Sequence, residues 1–493
     1  MTQRPRAGDR DRRVVERAER YAGDAADAAG SHRAPIDADH WRRRLAALAP
    51  RYRVPGASLG ILRLRPGRED ELAEAAYGVL NKDTGVETTT DSVFQIGSIT
   101  KVWTATVVMQ LVDEGLLELD APLAEVLPEL RLADREAAKR VTMRHLLTHT
   151  SGIDGDVFTD TGRGDDCLEK YTAVLADVAQ NHPLGATWSY CNAGFSLAGR
   201  VIEKLTGKTW DEAMRERLFE PLGLRRTITL PEEALLHRAA VGHVSADGAA
   251  PSRAPVWQLP RSIGPAGLIG ASAADVLAFA RLHLTGGLAP GGARLLSARS
   301  AAAMAARHAE LPDTRTLGES WGLGWSRMTW DGHPVIGHGG ATIGQNAYFH
   351  VLPDEGLAAV LLTNGGDTDG LSEALTREIF TGLAGVEPTP ALRPPAEPVA
   401  ADVEPHLGRY ERAGSRLEVL RGEDGPVLRT TATGPLAAML PDPVREYPMT
   451  AIEEDVFAVR EPGTDNWMPV TFYALPTGER YLHFGLRATP KAG

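Results

Sequence analysis

Residues 333–366, HPVIGHGGATIGQNAYFHVLPDEGLAAVLLTNGG, read as successive strands joined by glycine-containing turns, with PDEG as a hairpin signal. A second strand pair stands near the other end of the chain. VPGASLGILRLRPG (54–67) and ELAEAAYGVLNKDTG (71–85) alternate in the same way around a turn supplied by Pro66 and Gly67. Between the two sets, from about 117 to 285, the pattern is mainly helical, with CLEKYTAVLADVAQNH and AGFSLAGRVIEKLTG as amphipathic candidates and Gly207 as the stop of the second. Strands at both ends of a helical middle imply an α+β domain whose antiparallel sheet is closed by distant parts of the chain. No internal repeat points to a solenoid.

At 493 residues the chain exceeds the size that one core usually serves, so a large domain with a smaller companion is the expected arrangement. The companion shows as a change of character after residue 385. GVEPTPALRPPAEPVAADVEP is dense in Pro and Ala, which is linker composition. Beyond it, RLEVLRGEDGPVLRTTATG, DVFAVREPG and VTFYALPTGERYLHFG are short alternating strands between turns. The expected division is a polar extension over 1–38, a main domain over 39–385, a Pro-rich linker over 386–402 and a small all-β domain over 403–493.

A net charge of −12 gives no support for a nucleic-acid or anionic-membrane partner, so a small molecule or peptide is the expected ligand. Cys167 and Cys191 are too few for a disulfide framework, and neither belongs to a Cys/His cluster. No metal or other cofactor is expected. The charged N-terminus lacks the apolar run of a secretory signal and no later segment reads as a transmembrane helix, which points to the cytoplasm.

The chemistry concentrates in FQIGSITKVWTATVVMQLVDEGL (94–116). Ser98 and Lys101 are three apart, so on a helix starting near Ser98 the hydroxyl and the amine share a face. Ile99, Val102, Trp103, Val107, Val108, Leu111 and Val112 make the helix apolar around much of its circumference, as in a buried helix. Burial disfavours an ammonium, and a neutral Lys101 could accept the serine proton.

Two further phrases follow in order: YCN at 190–192 and HGG at 338–340. With SITK they resemble the three motifs of the penicillin-recognising serine hydrolases, S-x-x-K, Y-x-N and K-T-G or its H-x-G variant. The resemblance spans roughly residues 40–385 and includes LLTHTSGI (146–153) and PAGLIGASAADVLAFARLHL (265–284). It implies a β-lactamase/transpeptidase-like domain, and the C-terminal strands resemble the lipocalin-like modules appended to some of these hydrolases. By the resemblance Ser98 is the nucleophile, Lys101 with Tyr190 forms the base system, and Asn192 presents its amide to Lys101 and substrate. His338 stands where members carry Lys or His and takes a proton-network or orienting role. Gly340 lets substrate backbone approach, and the N–H groups of Ser98 and Ala341 form the oxyanion hole. Cys191 reads as packing and His149 as structural.

Ala341 departs from the pattern, because β-lactamases and D,D-peptidases generally carry Thr or Ser there to help hold a substrate carboxylate. Together with the absence of an export signal, this ranks a D,D-carboxypeptidase or β-lactamase below a serine acyl-hydrolase acting on an ester, amide or peptide. Within enzymes the alternative is a peptide-cyclising thioesterase of non-ribosomal peptide assembly, whose members also join such a domain to a small β module. Outside enzymes the alternative is a catalytically silent ligand sensor or scaffold.

Overall fold

The computed structural model describes residues 35–245, 250–397, 399–433 and 442–492. Residues 1–34 of the expected extension lie outside them, and the first described helix, α1 (Ala38–Leu48), begins where Asp37 caps it through the His40 N–H.

The two strand sets meet in one nine-stranded antiparallel sheet, to which residues 309–330 add three strands that the sequence pattern did not show. Its strands are β1 (Gly56–Arg63), β2 (Glu71–Asn81), β3 (Val86–Glu87), β4 (Ala309–Glu310), β5 (Ser320–Trp321), β6 (Ser326–Trp330), β7 (His333–Ala341), β8 (Asn346–Leu352) and β9 (Leu357–Thr363), in the order β3-β2-β1-β9-β8-β7-β6-β5-β4. The closing contact is β1 on β9, running from Ala57 opposite Thr363 to Arg63 opposite Leu357. Pairing of β7 with β6 stops at Gly337 opposite Ser326, so on that side His338–Ala341 has no strand neighbour among the described residues. This free edge becomes one wall of the site.

Helices cover both faces of the sheet. On one face α1 and α5 (Thr368–Ala384) bury Trp41, Leu45, Leu371 and Phe380 against β1 and β9. On the other lie α2 (Thr100–Asp113), α3 (Asn192–Thr206) and α4 (Ala273–Leu284), where Trp103 stacks on Phe279 with ring centroids 4.4 Å apart. Each such aromatic or aliphatic side chain contributes about 1.5–3 kcal/mol by leaving water. Helix α2 is enclosed by this layer: Thr100 through Leu111 are all buried, Lys101 among them.

One helix is shorter than its sequence pattern suggests. CLEKYTAVLADVAQNH is α-helical only over Cys167–Val174, followed by a tight turn at Leu175–Asp177. The remainder is drawn out because Asp154 N–H donates to Ala179 O and Asn181 N–H to Gly152 O, a tertiary pairing that overrides the local period.

After α5 the described residues from 386 to 403 form no helix or strand. The strands β10 (Gly408–Arg412), β11 (Ser415–Gly422), β12 (Gly425–Ala432) and β13 (Val444–Pro448) make one antiparallel sheet. A second holds β14 (Thr450–Glu453), β15 (Val456–Arg460), β16 (Trp467–Ala474), β17 (Arg480–Phe484) and β18 (Arg487–Pro490). Tyr410, Leu417, Leu428, Phe457, Phe472 and Leu482 fill a core of their own between these sheets. No described helix is long and apolar enough to cross a membrane.

Candidate active site

Ser98 sits on a single tight turn, Gly97–Ile99, that feeds directly into α2. The turn is pressed against the free edge of β7, and two glycines permit the approach. A Cβ at Gly340 would lie 1.9 Å from Ile96 O, and one at Gly97, whose φ is +52°, would lie 2.5 Å from Ala341 N. The backbones of Ser98 and Ala341 are thereby brought to one place, as a pair of oxyanion donors would need.

Lys101 reaches back along its helix and donates to Ser98 Oγ at 3.0 Å. Its second acceptor is Ala266 O at 2.5 Å, from PAGLIGAS, a segment tied to α2 also by Thr104 Oγ1 on Pro265 O and Ile269 N on Thr100 Oγ1. The side chain is fully enclosed. Burial, reinforced by the positive charge of Arg487, holds its pKa well below the ordinary lysine value. Tyr190 faces it, with the ammonium nitrogen 4.8 Å from the ring centroid. The phenol is pushed up by burial, a rise that the neighbouring Ser98 hydroxyl and the positive charge of Arg487 partly offset. Both shifts favour neutral forms, so the geometry suits an amine base and a phenol donor better than a lysinium–phenolate pair.

Asn192 stands at a change of backbone from extended to helical. The extended backbone ends at Cys191, which caps α3 by accepting the Gly194 N–H on Sγ at 3.2 Å, and Asn192 is the first residue of the helix. Its side chain lines the cleft with Ser98 and Tyr190 but makes no hydrogen bond among the described residues. Cys191 is buried and its thiol is pushed up to about 11, mainly by burial, which leaves it a poor nucleophile. His338 also lines the cleft. Its Nδ1 bonds Gly339 O at 2.5 Å, and burial first, then Lys101, pushes its pKa down to about 3, so it is a neutral imidazole.

The cleft encloses about 460 Å³. Ser98, Tyr190, His338 and Gly340 lie at its reactive end, and Asn346, Tyr348 and Asp369 supply a polar wall beyond β7. Several lining residues were not singled out in the sequence, two of them in the C-terminal strands. Leu486 comes from the turn between β17 and β18, and Arg487 is the first residue of β18. The Arg487 guanidinium carbon stands 5.0 Å from the Tyr190 centroid. Its Nη2 meets Asp156 Oδ1 at 2.6 Å and its Nε meets Oδ2 at 3.1 Å, while Arg412 Nη1 meets Oδ2 at 3.0 Å. FGLRATP carries no local signal for this role, since the contact exists only through docking of the C-terminal sheets on the segment around Tyr190.

A serine hydrolase fold carrying a Ser-x-x-Lys turn, a facing tyrosine and a free sheet edge defines the class. Residues 37–383 match the β-lactamase family model, and the chain belongs to that family. Penicillin-binding protein 4 of Amycolatopsis lactamdurans is 50% identical over 382 residues, covering 77% of this chain and 99% of the relative. Esterase EstB of Burkholderia gladioli is 30% identical over 349 residues, covering 62% of this chain and 85% of its own. Among solved structures, that of SurE superposes with a TM-score of 0.73 at 30% identity, covering 92% of this chain and 99% of that one. The protein is an enzyme of the β-lactamase-related serine hydrolase superfamily.

Proposed function

We propose that this protein is a serine acyl-hydrolase that works through an acyl-enzyme on Ser98, with an ester, amide or peptide as substrate. The observation that carries the reading is the enclosed Lys101, held 3.0 Å from Ser98 Oγ with its pKa depressed. Neutral Lys101 takes the proton as Ser98 Oγ attacks the acyl carbon, the backbone amides of Ser98 and Ala341 receive the oxyanion, and Tyr190 hands a proton to the leaving group as the proton on Lys101 replaces it. Water then releases the acyl group by the same path reversed.

Because the base is an amine whose folded pKa is lowered, acylation is expected to rise with pH as Lys101 loses its proton and to fall on the acidic side, with an apparent pKa that belongs to the Lys101–Tyr190 pair. Lys101→Ala and Tyr190→Phe should each slow acylation severely and the double variant should lose little more. Stopped-flow acylation by p-nitrophenyl acetate from pH 5 to 10 measures this; fully additive losses would show that the two do not act together.

The acyl specificity follows from charge. Ala341 offers no hydroxyl to a carboxylate beside the scissile bond, and the cation that does line the cleft, Arg487, is engaged by Asp156. Losing one charge-assisted hydrogen bond costs about 1.5–3 kcal/mol, or roughly one to two decades in kcat/KM. Esters or amides without that carboxylate are expected to be processed at least as well as their carboxylate-bearing partners, and benzylpenicillin poorly. Strong preference for free D-alanyl carboxylates in matched pairs, or efficient penicillin hydrolysis, would favour a peptidase or β-lactamase.

A second reading, transfer of the acyl group to an amine of the same peptide, draws support from Leu486, an apolar residue between β17 and β18 that lines the cleft. Mass analysis of products from a peptidyl thioester separates the two, since cyclisation leaves a product one water lighter than the acid.

A further inference from the structure

Three consecutive peptide N–H groups bracket the Tyr190 side chain, and each has its own acceptor. Ser189 N–H donates to His149 O at 3.0 Å, Tyr190 N–H to Leu486 O at 3.0 Å, and Cys191 N–H to His149 Nδ1 at 3.0 Å. His149 therefore holds the amides on both sides of the tyrosine, one with its carbonyl and one with its ring. The same ring lies against that of Tyr190, with centroids 4.3 Å apart and planes 32° from parallel.

His149 does this from the left-handed region, at φ +57°, and fully buried. Residues other than glycine rarely sit there, and such strain persists only where the surroundings enforce it. Leu486, which holds the middle amide, has φ +68° and belongs to the same uncommon set. Segment 187–191 forms no strand, so without these acceptors its buried amides would have no partner in a sheet. An imidazole that accepts at Nδ1 carries its proton on Nε2 and is neutral; burial, then Lys101, holds its pKa well below the ordinary value.

We propose that His149 is a positioning residue, which aims the Tyr190 phenol at Ser98 and Lys101 by gripping the backbone on both sides of it. This rests on the acyl-enzyme reading above. The sequence alone made His149 merely structural; the difference between the two roles is measurable. A structural residue sets how much protein is folded, whereas a positioning residue sets how fast each folded molecule acylates, because a misplacement of about 1 Å costs on the order of 100-fold.

The test compares three side chains by single-turnover acylation of Ser98 with p-nitrophenyl acetate, normalised to folded protein by near-UV circular dichroism. His149→Gly keeps the backbone shape at no steric cost but removes ring and acceptor; it is expected to slow acylation about 100-fold, with the half-saturating ester concentration within about threefold of wild type. His149→Asn tolerates the left-handed region and sets an oxygen near the position of Nδ1; it is expected to stay within about tenfold of wild type. His149→Leu fills the space without an acceptor and carries the glycine expectation should the glycine variant not fold. A folded His149→Gly or His149→Leu that acylates at the wild-type rate, or an asparagine variant as slow as they are, overturns the proposal. Wild type that is never acylated at Ser98 removes the acyl-enzyme reading, and this proposal with it; wild type and His149→Gly acylating alike removes the role of His149 alone.

Discussion

Ser98→Ala is expected to abolish covalent labelling by a serine-directed probe and to lower turnover by about four to six orders of magnitude, with substrate binding nearly intact. The size follows from the architecture. Ser98 Oγ is the acceptor that Lys101 addresses in the cleft, and no second nucleophile is poised there: Cys191 is buried, caps α3 with its sulfur, and has a thiol pushed up to about 11. Cys191→Ala should consequently label as wild type does. Intact-mass analysis after incubation with a fluorophosphonate decides between them, and labelling that vanishes in Cys191→Ala but survives in Ser98→Ala would reverse the assignment.

The second large effect concerns stability. Asp156→Ala is expected to destabilise the protein by about 3–5 kcal/mol, because it leaves two nearly buried cations without their partner. Arg487 and Arg412 are 13% and 14% exposed, and both meet this one carboxylate. Burial alone would raise the Asp156 pKa, yet Arg487 and Arg412 hold it below the ordinary value. A depressed carboxylate stabilises the fold fully above the unfolded pKa of about 3.9, and that contribution is lost as pH falls through the lower folded value. Urea unfolding at pH 7 should show the full penalty, and the gap between wild type and Asp156→Ala should shrink below about pH 4. A difference under about 1 kcal/mol at pH 7 would mean that the pair is solvated in solution. The acidic limb of the acylation profile should also move to lower pH, since Arg487 freed of its carboxylate would hold Lys101 further below its ordinary value.

Both predictions lean on features that differ in how far the sequence reveals them. The strand pattern at 54–85 and 333–366 revealed five adjacent strands of the principal sheet, because a period of two and a turn sequence such as PDEG are local properties of the chain. The Ser98–Lys101 contact was legible for the same reason: residues three apart on a helix share a face wherever that helix goes, and apolar residues around much of the circumference already meant burial. Gly340 was marked for backbone approach, although its immediate neighbour there is the Ser98 turn at Ile96 O.

What the tertiary structure alone decided is who surrounds Tyr190. His149 looked structural because a lone histidine in LLTHTSG has no spacing that ties it to residue 190; only the folded chain places its carbonyl and its ring on either side of that tyrosine. Arg487 and Leu486 were invisible for a stronger reason. Their contact with the cleft spans roughly three hundred residues and depends on one β-hairpin turn docking against an irregular segment, a geometry that neither periodicity nor motif encodes. Local spacing could therefore bring the Ser98 hydroxyl and the Lys101 amine together. The charge and the strained backbone that aim and tune them come from packing between distant parts of the chain, where the energies of burial and of paired charges outweigh any local preference.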